Sequence, residues 1–285
     1  MNSKIIISAF VLGLTVTACG GGSTEPVDTT ASITLNSFAE GGSSANFSAL
    51  LLHRFLGSSS NITGIVLLHG RGGNPDSAVV RQLRKDLYDR GYTTLSIQEA
   101  VPAGYVEGEG GTKAPPYSAY INDVNNANSV FLETYARVRT AINELESRGM
   151  KQVVVIGFSI GSRIAAAHVA IGIGRGQIDE LPIIGLVGIG MYAGASDPDP
   201  LRTTLTLDEV SIPVLDLYGD NDTGSASTAI ARKAAYDSGS GTNYTQISLS
   251  CDVGLSTNEC HKLVNLKGTS TSPLEVAVSN WIANL

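Results

Sequence analysis

The sequence predicts an α/β fold: a single domain on one mostly parallel central sheet with helices on both faces. Three observations predict it. Short apolar, β-branched runs alternate with stretches of helical period along most of the chain, the pattern of parallel strands joined by crossover helices. Residues 153–156 (VVVI) are apolar without interruption, as a strand buried on both faces must be, and helix-favouring sequence begins at Ile160 after a turn of only three residues. A length of 285 residues suffices for one substantial core, and neither an internal repeat nor a second domain is visible.

The N-terminus is of a different kind. Lys4 precedes an apolar stretch over 5–16, too short to span a bilayer, and then Thr17-Ala18-Cys19, the layout of a secretory signal. Residues 16–19 (VTAC) resemble the lipobox of bacterial lipoproteins, which implies cleavage before Cys19 and lipid attachment to it. The sequence after it, GGGSTEP, reads as a flexible polar tether. The expected organisation is therefore a leader over 1–18, a lipidated cysteine and tether over 19–44, and the domain over 45–285. Glycine at position 20, where an aspartate would retain a lipoprotein at the inner membrane, implies export to the outer membrane of a bacterial envelope. Membrane contact is expected through the lipid only. A formal net charge of −7 without any lysine or arginine cluster excludes a nucleic-acid partner.

Within the domain, residues 47–55 (FSALLLHRF) and 64–69 (GIVLLH) read as strands. A glycine-rich turn, His69-Gly70-Arg71-Gly72-Gly73, then leads through Asn74-Pro75 into a helix with Val79, Val80, Leu83 and Leu87 on one face. A strand over 92–98 follows. Residues 100–127 are irregular, and because they follow a strand's C-terminal end they are expected to shape a ligand cleft. A long amphipathic helix from Phe131 to Leu145 precedes the 153–156 strand. After it come strands over 183–191, 213–218 and 244–249, a helix-prone stretch over 225–236, and a last helix starting at Pro273.

The chemistry-bearing stretch is Gly157-Phe158-Ser159-Ile160-Gly161. In a chain with 32 glycines the letters G-x-S-x-G alone are weak evidence, but here they sit between a buried strand and a helix, the context that such a turn requires. Gly157 and Gly161 leave the room in which Ser159 is thrust outward, and the N–H of Ile160, at the head of the helix, is unpaired within it. A serine hydroxyl needs a base, and the base needs an acid to hold its tautomer. Of four histidines, His53 lies in a strand, His69 supports a loop and His168 is carried away along the helix. His261, in a loop after the last strand, remains. Asp216, Asp220 and Asp222 are the nearby acids, and the turn pair Asp220 and Asp222 is better placed than Asp216 inside its strand. Cys251 and Cys260 form an even pair in an oxidising compartment and are expected to be disulfide-bonded. Closing this loop would stabilise the fold by about 2.7 kcal/mol in the chain-entropy view.

His69-Gly70 after a strand, the elbow at 157–161, the Gly219-x-x-Asp222 turn and a late histidine resemble the α/β-hydrolase superfamily over residues 45–285. The phrases LLHGRGGNPDSAVV and IPVLDLYGDND resemble a bacterial family of α/β-hydrolase-like proteins of unknown function. The resemblance implies the α/β-hydrolase fold, Ser159 as nucleophile, His261 as base, Asp222 and not Asp220 as acid, and the N–H groups of Ile160 and Arg71 as oxyanion donors. The family's histidine usually follows glycine or aspartate, whereas Cys260 stands there in this chain. The Arg71 guanidinium could alternatively meet an anionic substrate. The expected activity is hydrolysis of a carboxylic ester, small-molecule or envelope-borne. Acyl transfer or peptide cleavage on envelope material, and a non-catalytic binding module, stay open at this point. Neither an organic cofactor nor a metal is implied, for want of a clustered ligand set or phosphate-binding fingerprint.

Overall fold

The computed structural model describes residues 30–38, 44–53, 62–123, 129–175, 181–195, 197–199, 201–252, 254–263 and 273–285. The expected leader, Cys19 and most of the expected tether lie outside the described residues. In chain order the elements begin β1 (Ala31–Phe38), β2 (Ser44–Leu52), β3 (Thr63–Leu68), α1 (Ala78–Asp89) and β4 (Thr93–Ile97). Then come α2 (Tyr117–Asp123), α3 (Val130–Ser147), β5 (Gln152–Phe158), α4 (Ile160–Arg175), β6 (Ile183–Ile189) and α5 (Thr203–Thr206). The chain ends with β7 (Val214–Gly219), α6 (Thr223–Ser227), α7 (Ala229–Ser238), β8 (Tyr244–Leu249), α8 (Thr257–Lys262) and α9 (Pro273–Ile282).

One eight-stranded sheet runs in the order β1-β2-β4-β3-β5-β6-β7-β8. β2 is antiparallel to both β1 and β4, and every other pair is parallel. This is the α/β-hydrolase fold. Side chains of the central strands alternate between two cores. Val66, Leu68, Val153 and Val155 face the core under α3 and α4, while Ile65, Leu67, Val154 and Ile156 face the one under α1 and α9. All eight are buried, which explains their unbroken apolar runs. The strand order reverses at β3 and β5, so the loops leaving their C-terminal ends diverge and open a crevice there. His69-Gly70 leaves β3 and Ser159 leaves β5.

The structure corrects several expectations. β1 lies inside the stretch expected to be tether. Its outward positions Ser32, Thr34 and Asn36 are exposed, so the pattern is that of a half-solvated edge strand and reads like a polar linker. β2 starts at Ser44 and stops at Leu52, earlier than expected, and residues 54 and 55 of the expected strand lie outside the described residues. The stretch over 100–127 is not wholly irregular: it carries a turn of 3₁₀ helix at Gly111–Lys113 and then α2. The helix-prone segment over 225–236 divides into α6 and α7. His261 sits on a short helix, α8, and not in a loop, because Ser256 and Glu259 make a reciprocal capping box that starts one there.

Candidate active site

Ser159 stands between β5 and α4 with φ 56°, the left-handed region that a non-glycine residue occupies only under constraint. The constraint is visible. A β-carbon on Gly157 would collide with the backbone of Gly161 and Ser162, and one on Gly161 would collide with the His69 carbonyl oxygen and the Glu99 carboxyl. The Ser159 N–H donates to the Ile189 carbonyl at 2.8 Å, tying the turn to β6.

Two peptide planes beside Ser159 are fixed by their carbonyls. The Ser159 carbonyl accepts from the Ser162 N–H at 3.1 Å and from the Ser162 hydroxyl at 2.5 Å. A peptide group is planar and trans, so holding that carbonyl aims the Ile160 N–H the opposite way. The second plane is Gly70–Arg71, whose carbonyl accepts from the Gly73 N–H at 2.9 Å. His69 holds it too. Its Nε2 receives the Glu99 N–H at 3.1 Å and must be unprotonated, so the proton is on Nδ1, which donates to the Gly70 carbonyl at 2.8 Å. Burial lowers the His69 pKa to about 4, so the ring is neutral in this role. Gly70 abuts the elbow: a β-carbon there would lie 2.9 Å from the Phe158 ring and 3.1 Å from Ser159 Cβ.

The three candidate acids separate cleanly. Asp216, fully buried, receives Arg232 Nε at 2.8 Å and Nη2 at 3.2 Å, the Tyr244 hydroxyl at 2.8 Å and the Gln246 amide at 2.8 Å. It is fully committed to holding β7, β8 and α7 together. Asp220 is exposed and accepts the Cys251 N–H at 2.9 Å. Asp222 is buried and accepts His261 Nδ1 at 2.6 Å, while capping α6 through the Ser225 N–H at 3.4 Å. Burial pushes the Asp222 carboxyl up, but the hydrogen bonds from His261 and Ser225 outweigh it and hold the group below its ordinary range.

Covalent and packing contacts hold His261 in place. Cys260, fully buried just before it, is disulfide-bonded to Cys251, with Cα atoms 5.6 Å apart. A β-carbon on Gly219 would strike Cys260 Sγ, so the bridge seats on the end of β7, where the Asp222 turn begins. Asp220 and the two cysteines form a cluster of potential metal donors, but both sulfurs are spent in the disulfide. The His261 ring lies over Gly190, where a β-carbon would come within 2.7 Å of Cε1, and 5.2 Å from the Phe158 ring centroid.

Ser159, Ile160, Arg71 and His261 all line one cavity of about 610 Å³ at the crevice. Gly110, Gly111 and Tyr117 line it too, so the segment after β4 does shape the cleft. The sequence reading missed several participants. Ser162 pins the elbow carbonyl, and Glu99 lies 3.9 Å from His69 Nδ1 under the elbow. Arg163 pairs with Asp197 and stacks on Tyr117 and Tyr192, with its guanidinium carbon 5.2 and 5.5 Å from their ring centroids. An acid two residues past the end of β4, at the sheet's C-terminal edge, was the available signal for Glu99.

The chain is similar to several solved structures at low identity. The Anabaena variabilis dienelactone hydrolase is 17% identical with a TM-score of 0.56, over 90% of this chain and 98% of that one. An esterase of Pyrococcus furiosus is 14% identical with a TM-score of 0.59, over 93% and 96%. A thermostable carboxylesterase cloned from a metagenomic library, EstE1, is 13% identical with a TM-score of 0.55, over 90% of each. These likenesses agree with the α/β-hydrolase fold. No curated protein matches by sequence. A family described as "Protein of unknown function (DUF3530)" matches residues 44–268, most of the chain, and the chain belongs to that family.

Proposed function

We propose that the protein is a serine hydrolase acting on carboxylic esters through an acyl-enzyme. One observation carries the reading: a buried carboxylate holds His261 by Nδ1 at 2.6 Å, and that histidine opens onto the same cavity as a serine in a strained elbow. With Nδ1 committed to Asp222, Nε2 is the nitrogen that takes a proton. Ser159 Oγ attacks the ester carbonyl carbon as His261 accepts its proton. The N–H groups of Ile160 and Arg71 receive the developing oxyanion, and each such donor is worth about 10² to 10³ in turnover. The intermediate collapses, the C–O bond to the alcohol breaks, and His261 protonates the departing alkoxide. Water, deprotonated by the same histidine, then attacks the acyl carbon, the bond to Ser159 Oγ breaks, and His261 returns the proton to that oxygen as the acid leaves. Structural likeness to esterases and a dienelactone hydrolase supports the class of reaction. We also propose that the enzyme is exported and held at the outer membrane by lipid on Cys19. Replacing that residue by serine should release the protein from the membrane fraction.

The test is hydrolysis of p-nitrophenyl esters, acetate through palmitate, beside labelling by a fluorophosphonate probe. Wild type should hydrolyse and label, and Ser159→Ala should do neither. Absence of both in the wild type would reduce the domain to a non-catalytic module.

A further inference from the structure

The charged side chains around the cavity are all of one sign. Among the described residues Arg71, Arg163 and Lys262 line it and no aspartate or glutamate does, in a chain with 26 acidic and 19 basic residues. Arg163 is neutralised where it stands by Asp197. Arg71 and Lys262 are different. Both are exposed, and neither takes part in an ion pair among the described residues. Three acids on the segments that carry the lining residues are engaged elsewhere, and Glu99 under the elbow is held toward its neutral form by burial. Glu259 accepts the Ser256 N–H at 2.9 Å and its hydroxyl at 2.7 Å, with Lys262 adding a weaker attraction short of an ion pair, Glu109 pairs with Lys113 at 3.2 Å, and Asp222 holds His261.

The placement of the two cations is informative. Arg71 follows Gly70 on the loop leaving β3, and Lys262 follows His261 on α8, so the reacting atoms lie in the cavity that both line. The N-termini of α1 and α4, helices of 12 and 16 residues, open onto the same space through Ala78 and Ile160 and add positive potential. Two unpaired cations and two helix N-termini around an ester-sized cavity form a local inversion of the molecule's net charge of −7.

We propose that the preferred substrate is an anionic ester, one carrying a carboxylate or phosphate that Arg71 and Lys262 receive. This rests on the ester-hydrolase reading above. The test compares matched pairs with the full chain in detergent. Mono-p-nitrophenyl adipate is set against p-nitrophenyl hexanoate, and 1-butyrylglycerol 3-phosphate against 1-butyrylglycerol. The first pair reads a carboxylate on the acyl part, the second a phosphate on the alcohol part. In at least one pair kcat/KM should favour the anion by about tenfold, and the preference should shrink between about 20 mM and 500 mM salt. Arg71→Gln and Lys262→Gln should each lower the anionic-to-neutral ratio within the variant, and Lys262→Glu should bring it to one or below.

Ser159-dependent turnover with no anion preference in either pair, or a ratio untouched by all three variants, overturns the proposal and leaves the hydrolase reading intact. If no ester turns over and no fluorophosphonate labels Ser159, the hydrolase reading fails instead. Calorimetric titration with adipate and with glycerol 3-phosphate then decides the anion site by itself. Binding that Lys262→Glu abolishes supports it, and no binding overturns it.

Discussion

The two halves of the candidate site are built in different ways. The nucleophile half is local: five consecutive residues, 157–161, turn a buried strand into a helix, and Ser159 is held by backbone contacts from its immediate surroundings. The acid–base half is assembled from distant pieces. Asp222 follows β7, His261 rides on α8 39 residues later, and a disulfide that closes the loop before His261 packs on Gly219 at the end of β7. A nucleophile whose geometry is strained is best fixed by chain connectivity, which cannot slip. A base that must hand protons in two directions needs only its ring plane and tautomer fixed, and a hydrogen bond with a covalent staple behind it suffices.

Removing the chemistry from either half should give the largest effects. Ser159→Ala should lower kcat by about 10⁴ to 10⁶, and Asp222→Asn, which leaves the ring facing an amide that cannot stabilise its charge, by about 10⁴. Because the residues act as a unit, the double variant should be no worse than Ser159→Ala alone, as steady-state kinetics on p-nitrophenyl butyrate would show. Additive losses would mean that the halves do not work together.

The staple separates the halves next. Replacing Cys251 and Cys260 together by serine removes a cross-link worth about 2.7 kcal/mol for a ten-residue loop, a fall of roughly 5 to 10 °C in Tm. A buried hydroxyl at position 260 in place of sulfur adds to the loss. The far-ultraviolet spectrum should not change, since the bridge lies past the C-terminal ends of β7 and β8 and closes a single loop. Reduction of the wild type should reproduce the fall. A Tm indifferent to reductant would show that packing around Gly219 holds His261 without the bridge.

How much of this was legible in the sequence follows the same division. The elbow could be read whole because strand, turn and helix are adjacent and the sterics of Gly157 and Gly161 are local. Position favoured the turn pair over Asp216, but nothing local chose between Asp220 and Asp222. What removes Asp216 is Arg232, sixteen residues on and brought back by α7, and what removes Asp220 is the Cys251 N–H from the far side of β8. Resemblance to a superfamily supplied the choice that local physics could not. β1 was illegible for another reason: an edge strand with one face in water has the composition of a linker. Glu99 and His69 meet only because β3 and β4 are neighbours in the sheet.

On the nucleophile side the weaker device is His69. His69→Ala leaves the Gly70 carbonyl held by the Gly73 N–H alone and so loosens the direction of the Arg71 N–H. Turnover of neutral esters should fall by about tenfold to a hundredfold with little change in KM, since the donor acts mainly on the transition state. An equal rise in KM would place the loop in substrate binding instead.

The smallest effect concerns two carboxyls with opposite pH behaviour, one under each half. Burial raises Glu99 well above the ordinary carboxyl range of about 4.5, with Arg137 opposing it, so the folded protein keeps a proton that the unfolded chain gives up. Its effect on stability therefore grows more unfavourable as pH rises above about 4.5. Asp222 is held below its ordinary 3.8, so its contribution is present above that value and fades as pH falls through the lower one. His69 and His168, both lowered to about 4 by burial, add a loss of stability as pH drops from 6.5 toward 4. Glu99→Gln removes only the Glu99 effect. The Tm of the variant relative to wild type should therefore be near level at pH 4 and should improve toward pH 8, whereas the deficit of Asp222→Asn should stay nearly constant over that interval and shrink only as pH falls below about 3.8. A Glu99→Gln difference that does not change with pH would mean that Glu99 is ionised beneath the elbow, and that Arg137 reaches it more strongly than burial opposes it.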